Sequence, residues 1–436
     1  MTLHQAAIFE RIRIHGGRVI DPANNIDEQQ DLYIADGTIQ ATGNTPDGFT
    51  ADRSIDASGC IVCPGLIDLY ANLREPGQES KATIASESHA AASGGITTLC
   101  CPPDTQPVID TPAVVELIRL RAESAGLCRV LTIGALTRGL QGEQLSEMSA
   151  LLNAGCVGVS NARNPVSNTM VERRALEYAA TFGITVFLFP NDHWLSGSGC
   201  AHEGAVATRL GLPGIPETAE TVAVARDLAL IEQTGIQAHF CRLTTNRAVR
   251  MVARAQFDGL PVTADCSLPH LYLTEIDLSD FDSNCHVLPP LRTVEDRLGL
   301  RNGLANRTIS VICSDHQPHE EDAKARPFPE TEPGISGLET LLPLSLRLAD
   351  EGILTLSEAI QRLTAGPATV MGLPYGTLSR GASADICIFD PDEVWQLVPE
   401  TMLSRGRNTP FMGWQLKGRV TNTLLQGRLV FSRNAG

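Results

Sequence analysis

The spacing of apolar residues divides the chain into three stretches. Between 15 and 43, short alternating runs are broken by Gly and Asp, as in Gly17-Arg-Val-Ile-Asp and Asp31-Leu-Tyr-Ile-Ala-Asp-Gly-Thr-Ile-Gln. Alternation with period two describes strands buried on one face. The Asp36-Gly37 pair between two such runs is a hairpin signal, because both central positions of that tight turn need positive φ. The C-terminal stretch repeats the texture at 384–390, 418–425 and 427–431.

Between these ends, continuous apolar runs alternate with helical patterns. The runs lie at 61–69, 95–102, 130–137, 155–160, 184–190, 236–243, 261–267 and 309–315. Amphipathic stretches at 111–125, 170–182, 217–234 and 246–257 fill the intervals, and 337–349 and 356–363 add helices after the last run. Strands alternating with helices make a parallel sheet, and eight such units close most economically into a (β/α)8 barrel of the TIM type. The reading is therefore an α/β protein in three segments. Residues 63–371 form the barrel, while 1–62 and 372–436 are the two halves of one composite β-sandwich. The Gly-rich stretch 197–216 reads as a long loop or lid.

Composition narrows the function classes. The 436 residues carry 34 basic and 50 acidic side chains, a net charge of −16. That balance disfavours nucleic acid and anionic membrane surfaces as partners. No run of about eighteen apolar residues and no leader pattern occurs, so a cytoplasmic location is expected. Twelve cysteines are scattered, many inside apolar runs, where a free thiol behaves as a small hydrophobe. Cys60 and Cys63 form a Cys-x-x-Cys, but a structural zinc site would want a second such pair, so burial is the simpler reading.

Chemistry in such a barrel stands where strands end. Those places hold Tyr70 and Asn72, Asp104, Asn161, Phe189, Arg242, His270 and Asp315. A hydrolytic zinc centre needs three or four ligands, mostly His and carboxylate, plus an open position for water. Rings, amides and a guanidinium do not make one, and Arg242 repels a cation while offering it no lone pair.

The run Pro64-Gly-Leu-Ile-Asp-Leu-Tyr-Ala-Asn-Leu-Arg-Glu-Pro-Gly resembles the first-strand signature of dihydroorotases in the amidohydrolase superfamily, Asp-x-His-x-His-Leu-Arg-Glu-Pro-Gly, whose two histidines bind zinc. Tyr70 and Asn72 stand in their places. The resemblance continues through Gly94-Gly-Ile-Thr-Thr, Arg173-Arg-Ala-Leu-Glu-Tyr-Ala, Pro289-Pro-Leu-Arg, Ser314-Asp-His-Gln-Pro-His and Gly334-Ile-Ser-Gly-Leu-Glu-Thr. It implies the composite sandwich as well as the barrel. It places the strand-four carboxylate or modified lysine of the metal centre at Asn161 or Ala162, the strand-five histidine at Phe189 and the strand-six histidine at Arg242. Only Asp315 matches; in active members this aspartate binds metal and moves the proton. Among substrate positions Arg74, His316 and His319 match, whereas the second-strand asparagine is Asp104 and the asparagine before Pro289 is Leu288.

The resemblance implies a pseudoenzyme. It points to a metal-free, noncatalytic dihydroorotase homologue that assembles with the catalytic chains of aspartate transcarbamoylase in pyrimidine biosynthesis, itself a homodimer. Asp315 then reads as a structural ion-pair partner of Arg74 or Arg242. Two alternatives stay open. One is an active cyclic amidohydrolase of dihydroorotase, hydantoinase or allantoinase type, with a replacement zinc site made by His316 and His319 together with Asp315, or with His193 and His202. The other is a small-anion module built on Arg74, Arg242 and Asp104.

Overall fold

The computed structural model describes residues 10–433; the first nine residues of segment 1–62 and the last three of 372–436 lie outside the described residues. The ends fold together. One sheet runs in the order Thr38–Thr42, Leu32–Ala35, Ile12–His15, Arg53–Asp56, and the other in the order Arg428–Ser432, Gln415–Leu425, Ile386–Gln396, Ile61–Pro64, Arg18–Asp21, Ile26–Gln29. Alternation decides which face goes inward: Ile12 and Ile14 are buried while Arg13 points out to Asp31. The inward residues, among them Val19, Leu32, Ile34, Val62 and Ile386, pack into a core of their own. The hairpin falls where the pattern placed it, with Asp36 at φ 52° and Gly37 at φ 73°.

The barrel strands are Leu66–Asp68, Ile96–Cys101, a third split into Arg129–Thr132 and Gly134–Ala135, then Val159–Ser160, Val186–Leu188, Ala238–Phe240, Val262–Ser267 and Val311–Cys313. Each pairs in parallel with the next. The ring closes through a parallel bridge between Ala71 and His316, with the Asn72 N–H donating to the His316 carbonyl at 2.8 Å.

Two expectations need correction. The apolar run 61–69 is not one barrel strand: Ile61–Pro64 pairs antiparallel with Ile386–Gln396 in the terminal sheet, and only Leu66–Asp68 enters the barrel. The chain crosses between the sheets at Gly65, where a Cβ would come within 2.3 Å of the Thr97 side chain. The stretch 197–216 is folded rather than an open loop, with Ala201–His202 paired in parallel to Gly214–Ile215 around the helix Ala205–Leu210. Its anchor is His202, whose Nδ1 lies 3.0 Å from Arg292 Nη1.

The barrel helices include Pro112–Ala125, Thr169–Thr181, Thr218–Thr234 and Asn246–Phe257. In Asn246–Phe257 the Thr245 hydroxyl accepts from the Ala248 N–H, capping an otherwise unpaired donor. Ala248, Val249, Val252 and Ala255 repeat at helical spacing toward the barrel, leaving the arginines outside. All twelve cysteines are free thiols, and only Cys60 is not buried. No helix among the described residues is long and apolar enough to cross a membrane.

Candidate functional site

The barrel mouth is organised around Arg242. It follows the strand Ala238–Phe240 with φ 54°, a left-handed conformation that costs a non-glycine residue energy. Its N–H donates to Asp265 Oδ1 at 2.6 Å, which pins this turn. The guanidinium carbon then lies 3.6 Å from the centre of the Tyr70 ring and 4.7 Å from that of Phe189. Nη1 reaches Asp315 Oδ1 at 3.4 Å. Arg242 is 1% exposed, so this positive charge is sealed between two rings and one carboxylate. Arg74, Ala162 and Asp315 are left-handed too, so the loops that leave strands one, four, six and eight each hold a residue of that kind.

Asp315 accepts a second hydrogen bond from Gln317 Nε2 at 3.1 Å. Burial raises its pKa, opposed by the charges of Arg242 and Arg163. Arg163, in the loop after strand four, escaped the sequence reading because it lies beyond the strand-end positions. Asn161 turns to its own loop, accepting from Thr137 Oγ1 at 2.6 Å and donating to the Asn164 carbonyl at 2.8 Å. Asn72 and Tyr70 are buried, and the Tyr70 hydroxyl and Asn72 Nδ2 find no protein partner.

This donor set does not fit a zinc ion. One carboxylate, already paired with a guanidinium, stands among a phenol, two amides and a phenyl ring, whereas zinc takes imidazoles, thiolates or carboxylates at about 2.0–2.3 Å. The other histidines go elsewhere. His316 Nε2 lies 2.9 Å from Glu87 Oε2, with both side chains fully buried. His202 meets Arg292, and His193 opens the short exposed turn His193–Ser196. Among the described residues the one His, Cys and carboxylate grouping tight enough for a metal is His239, Cys241 and Asp265. There His239 is already committed, with Nδ1 2.7 Å from Thr263 Oγ1 and Nε2 2.9 Å from Asp265 Oδ2. That buried pair props the carboxylate that holds Arg242.

The open anion pocket expected from Arg74 and Arg242 does not form. Arg242 is sealed, and Arg74 donates to the Pro318 carbonyl at 3.1 Å and to Gln78 Oε1 at 3.2 Å. Its Nη2 lies 2.9 Å from His319 Nε2. A cavity of about 330 Å³ does persist to one side, bounded by Arg163, Phe189, Leu288, Pro289, Arg292 and Pro333. At strand seven, His270 ties down the Pro289-Pro290 loop: Nε2 lies 3.1 Å from the Pro289 carbonyl, and burial lowers its pKa to about 4.

His319 is flanked by cations on both nitrogens, since Lys81 Nζ lies 3.1 Å from Nδ1. Burial first, then Arg74 and Lys81, lower its pKa to about 2. A histidine kept neutral in the folded state contributes fully above its unfolded value near 6.5. That contribution is lost as pH falls, by roughly 1.4 kcal/mol per unit. Between pH 6.5 and 5 the wild-type chain is expected to lose roughly 2 kcal/mol more than His319→Gln. Urea unfolding at both pH values reads the difference, and equal losses would mean that the folded ring titrates normally.

Comparison with known proteins agrees with this architecture. A family model described as dihydro-orotase-like matches residues 59–248, and one described as the amidohydrolase family matches residues 193–430. The dihydroorotase-like protein of Pseudomonas aeruginosa is 52% identical over 419 residues, covering 96% of this chain and 99% of its own. A protein of the same description from Pseudomonas putida is 50% identical over 418 residues, with 96% and 98% covered. The dihydroorotase of Syntrophotalea carbinolica is 46% identical over 422 residues, with 97% and 99% covered. In three dimensions the L-hydantoinase (dihydropyrimidinase) of Arthrobacter aurescens superposes with a TM-score of 0.86 over 98% of this chain and 96% of its own, at 22% identity, which shows the shared fold. By sequence over nearly its whole length, the chain belongs to the dihydroorotase-like proteins of the amidohydrolase family.

Proposed function

We propose that this chain has lost metal-dependent ring hydrolysis and serves as a structural subunit that supports assembly of aspartate transcarbamoylase in pyrimidine biosynthesis. The observation that carries the loss of activity is the Arg242 guanidinium, held on Asp315 between Tyr70 and Phe189. A fixed cation occupies the centre of the mouth and engages the one carboxylate that hydrolysis would use. The assembly role is supported by the contrast between that altered mouth and a barrel and sandwich that remain fully built, as a subunit kept for its surface requires.

The test uses one preparation, never exposed to chelator, assayed alone and with the aspartate transcarbamoylase of the same organism. Zinc is expected below about a tenth of an equivalent, which leaves no Lewis acid for the reaction. Dihydroorotate turnover is expected to be absent in both samples, and the two chains to migrate as one species. Stoichiometric zinc with turnover would reinstate the amidohydrolase reading. Two independently migrating species at micromolar concentration would remove the assembly role.

A further inference from the structure

The helix Asn246–Phe257 carries Arg247, Arg250, Arg254 and Phe257 at intervals of three, four and three residues. At 3.6 residues per turn these fall within an arc of about 80° and span about 15 Å along the helix. All four are exposed, and Phe257, at 82%, is the most exposed large apolar side chain among the described residues. Among the described residues, Arg247 and Arg250 make no ion pair, whereas Arg254 is shared with Asp258 at 2.7 Å and lies 5.5 Å over the Phe257 ring. An open groove of about 870 Å³ runs alongside, floored by Leu228 and Met251. Glu217, Glu295 and Asp296 close one end of it. Asp296 is already spent on the Thr293 and Asn246 N–H groups.

On a chain of net charge −16, a basic stripe in which two of three arginines are unpaired, ending in an exposed aromatic ring, is a local reversal of sign. Arginine, methionine and aromatic residues are the types enriched where proteins meet, and truncating arginines or aromatics there has the largest effects. A nucleic acid would meet the repulsion of the whole molecule before it reached three arginines. A short acidic segment of a protein carries far fewer charges and meets correspondingly less repulsion, and its apolar residues could rest on Leu228, Met251 and Phe257.

We infer that this helix face docks an acidic, amphipathic segment of the protein partner proposed above; the inference rests on the assembly reading. The experiment measures binding of the full chain to the aspartate transcarbamoylase of its organism at two salt concentrations. Three forms are compared: wild type, R247E/R250E, and the control R380E/R428E, which changes charge equally on two exposed arginines of the C-terminal segment, one in a turn and one in a sheet strand. The expected result is binding by wild type that weakens with salt. R247E/R250E should bind at least about tenfold more weakly with little salt dependence left, and the control within about threefold of wild type. Wild-type binding that R247E/R250E leaves intact overturns the docking face and spares the assembly reading. No binding by wild type overturns both. A change in the oligomeric state of R247E/R250E alone would assign the face to a second copy of this chain, and RNA binding abolished in that variant would assign it to nucleic acid; either result overturns the proposal.

Discussion

Replacing Arg242 by alanine is expected to destabilise the protein by about 3–5 kcal/mol, the scale for removing one partner of a buried ion pair. Three losses combine. Asp315 is left buried without its cation, the Tyr70 and Phe189 rings lose a desolvated charge worth up to about 2 kcal/mol, and the vacated volume becomes a cavity. The sign of the pH dependence separates the first loss from the others. Without Arg242, burial of Asp315 is opposed only by the more distant Arg163 charge and the Gln317 hydrogen bond, and its folded pKa rises further above the unfolded value. A group shifted in that direction contributes stability at low pH that disappears as pH rises through the folded value. The Arg242→Ala penalty should therefore grow from pH 5 to pH 8 in urea unfolding. In R242M/D315N both charges are gone and most of the volume is kept, so most of the stability should return with no such slope. A penalty below about 1 kcal/mol for Arg242→Ala would mean that the stacking of Arg242 between Tyr70 and Phe189 and its pairing with Asp315 carry little of the mouth's stability.

The parts of this molecule that were legible in sequence are those set by local periodicity. The helix at 246–257 could be read to its last residue because four small or β-branched apolar residues repeat toward the barrel with arginines between them. The hairpin at Asp36-Gly37 was legible because two successive positive φ values favour few residue pairs. The division of 61–69 was not, since a continuous apolar run carries no mark of which sheet each half joins. The site was legible as a set of strand-end positions, but its wiring was not. Glu87 meets His316 across 229 residues of chain, and no spacing rule links a helix glutamate to a histidine after strand eight. Likewise Arg242 could be placed at the rim from its position, yet its inward turn depends on Asp265, which touches His239 across the strand pair and lies 23 residues along the chain from Arg242.

Restoring the two first-strand histidines should not restore a metal site, and the reason is electrostatic. In Tyr70→His, Asn72→His the introduced imidazoles would hold a divalent ion near the present Tyr70 ring, whose centre lies 3.6 Å from the Arg242 guanidinium carbon. At about 4 Å and an effective dielectric constant near 20, a divalent ion and a guanidinium repel by roughly 8 kcal/mol, which lowers affinity on the order of a million-fold. Two added ligands do not offset that, and Asp315 stays engaged with Arg242. The double variant is therefore expected to hold far less than one equivalent of zinc at micromolar concentration and to show no dihydroorotate turnover. The quadruple variant Y70H/N72H/F189H/R242H exchanges the repelling charge and the inert ring for imidazoles and frees Asp315, so it should bind close to one equivalent by calorimetry. Zinc-dependent turnover in the double variant would mean that the guanidinium moves aside at little cost. Zinc failing to bind the quadruple variant would place the obstacle in the strand-four end, where Asn161 is tied to Thr137 and Asn164 and no anionic side chain is available to the ion.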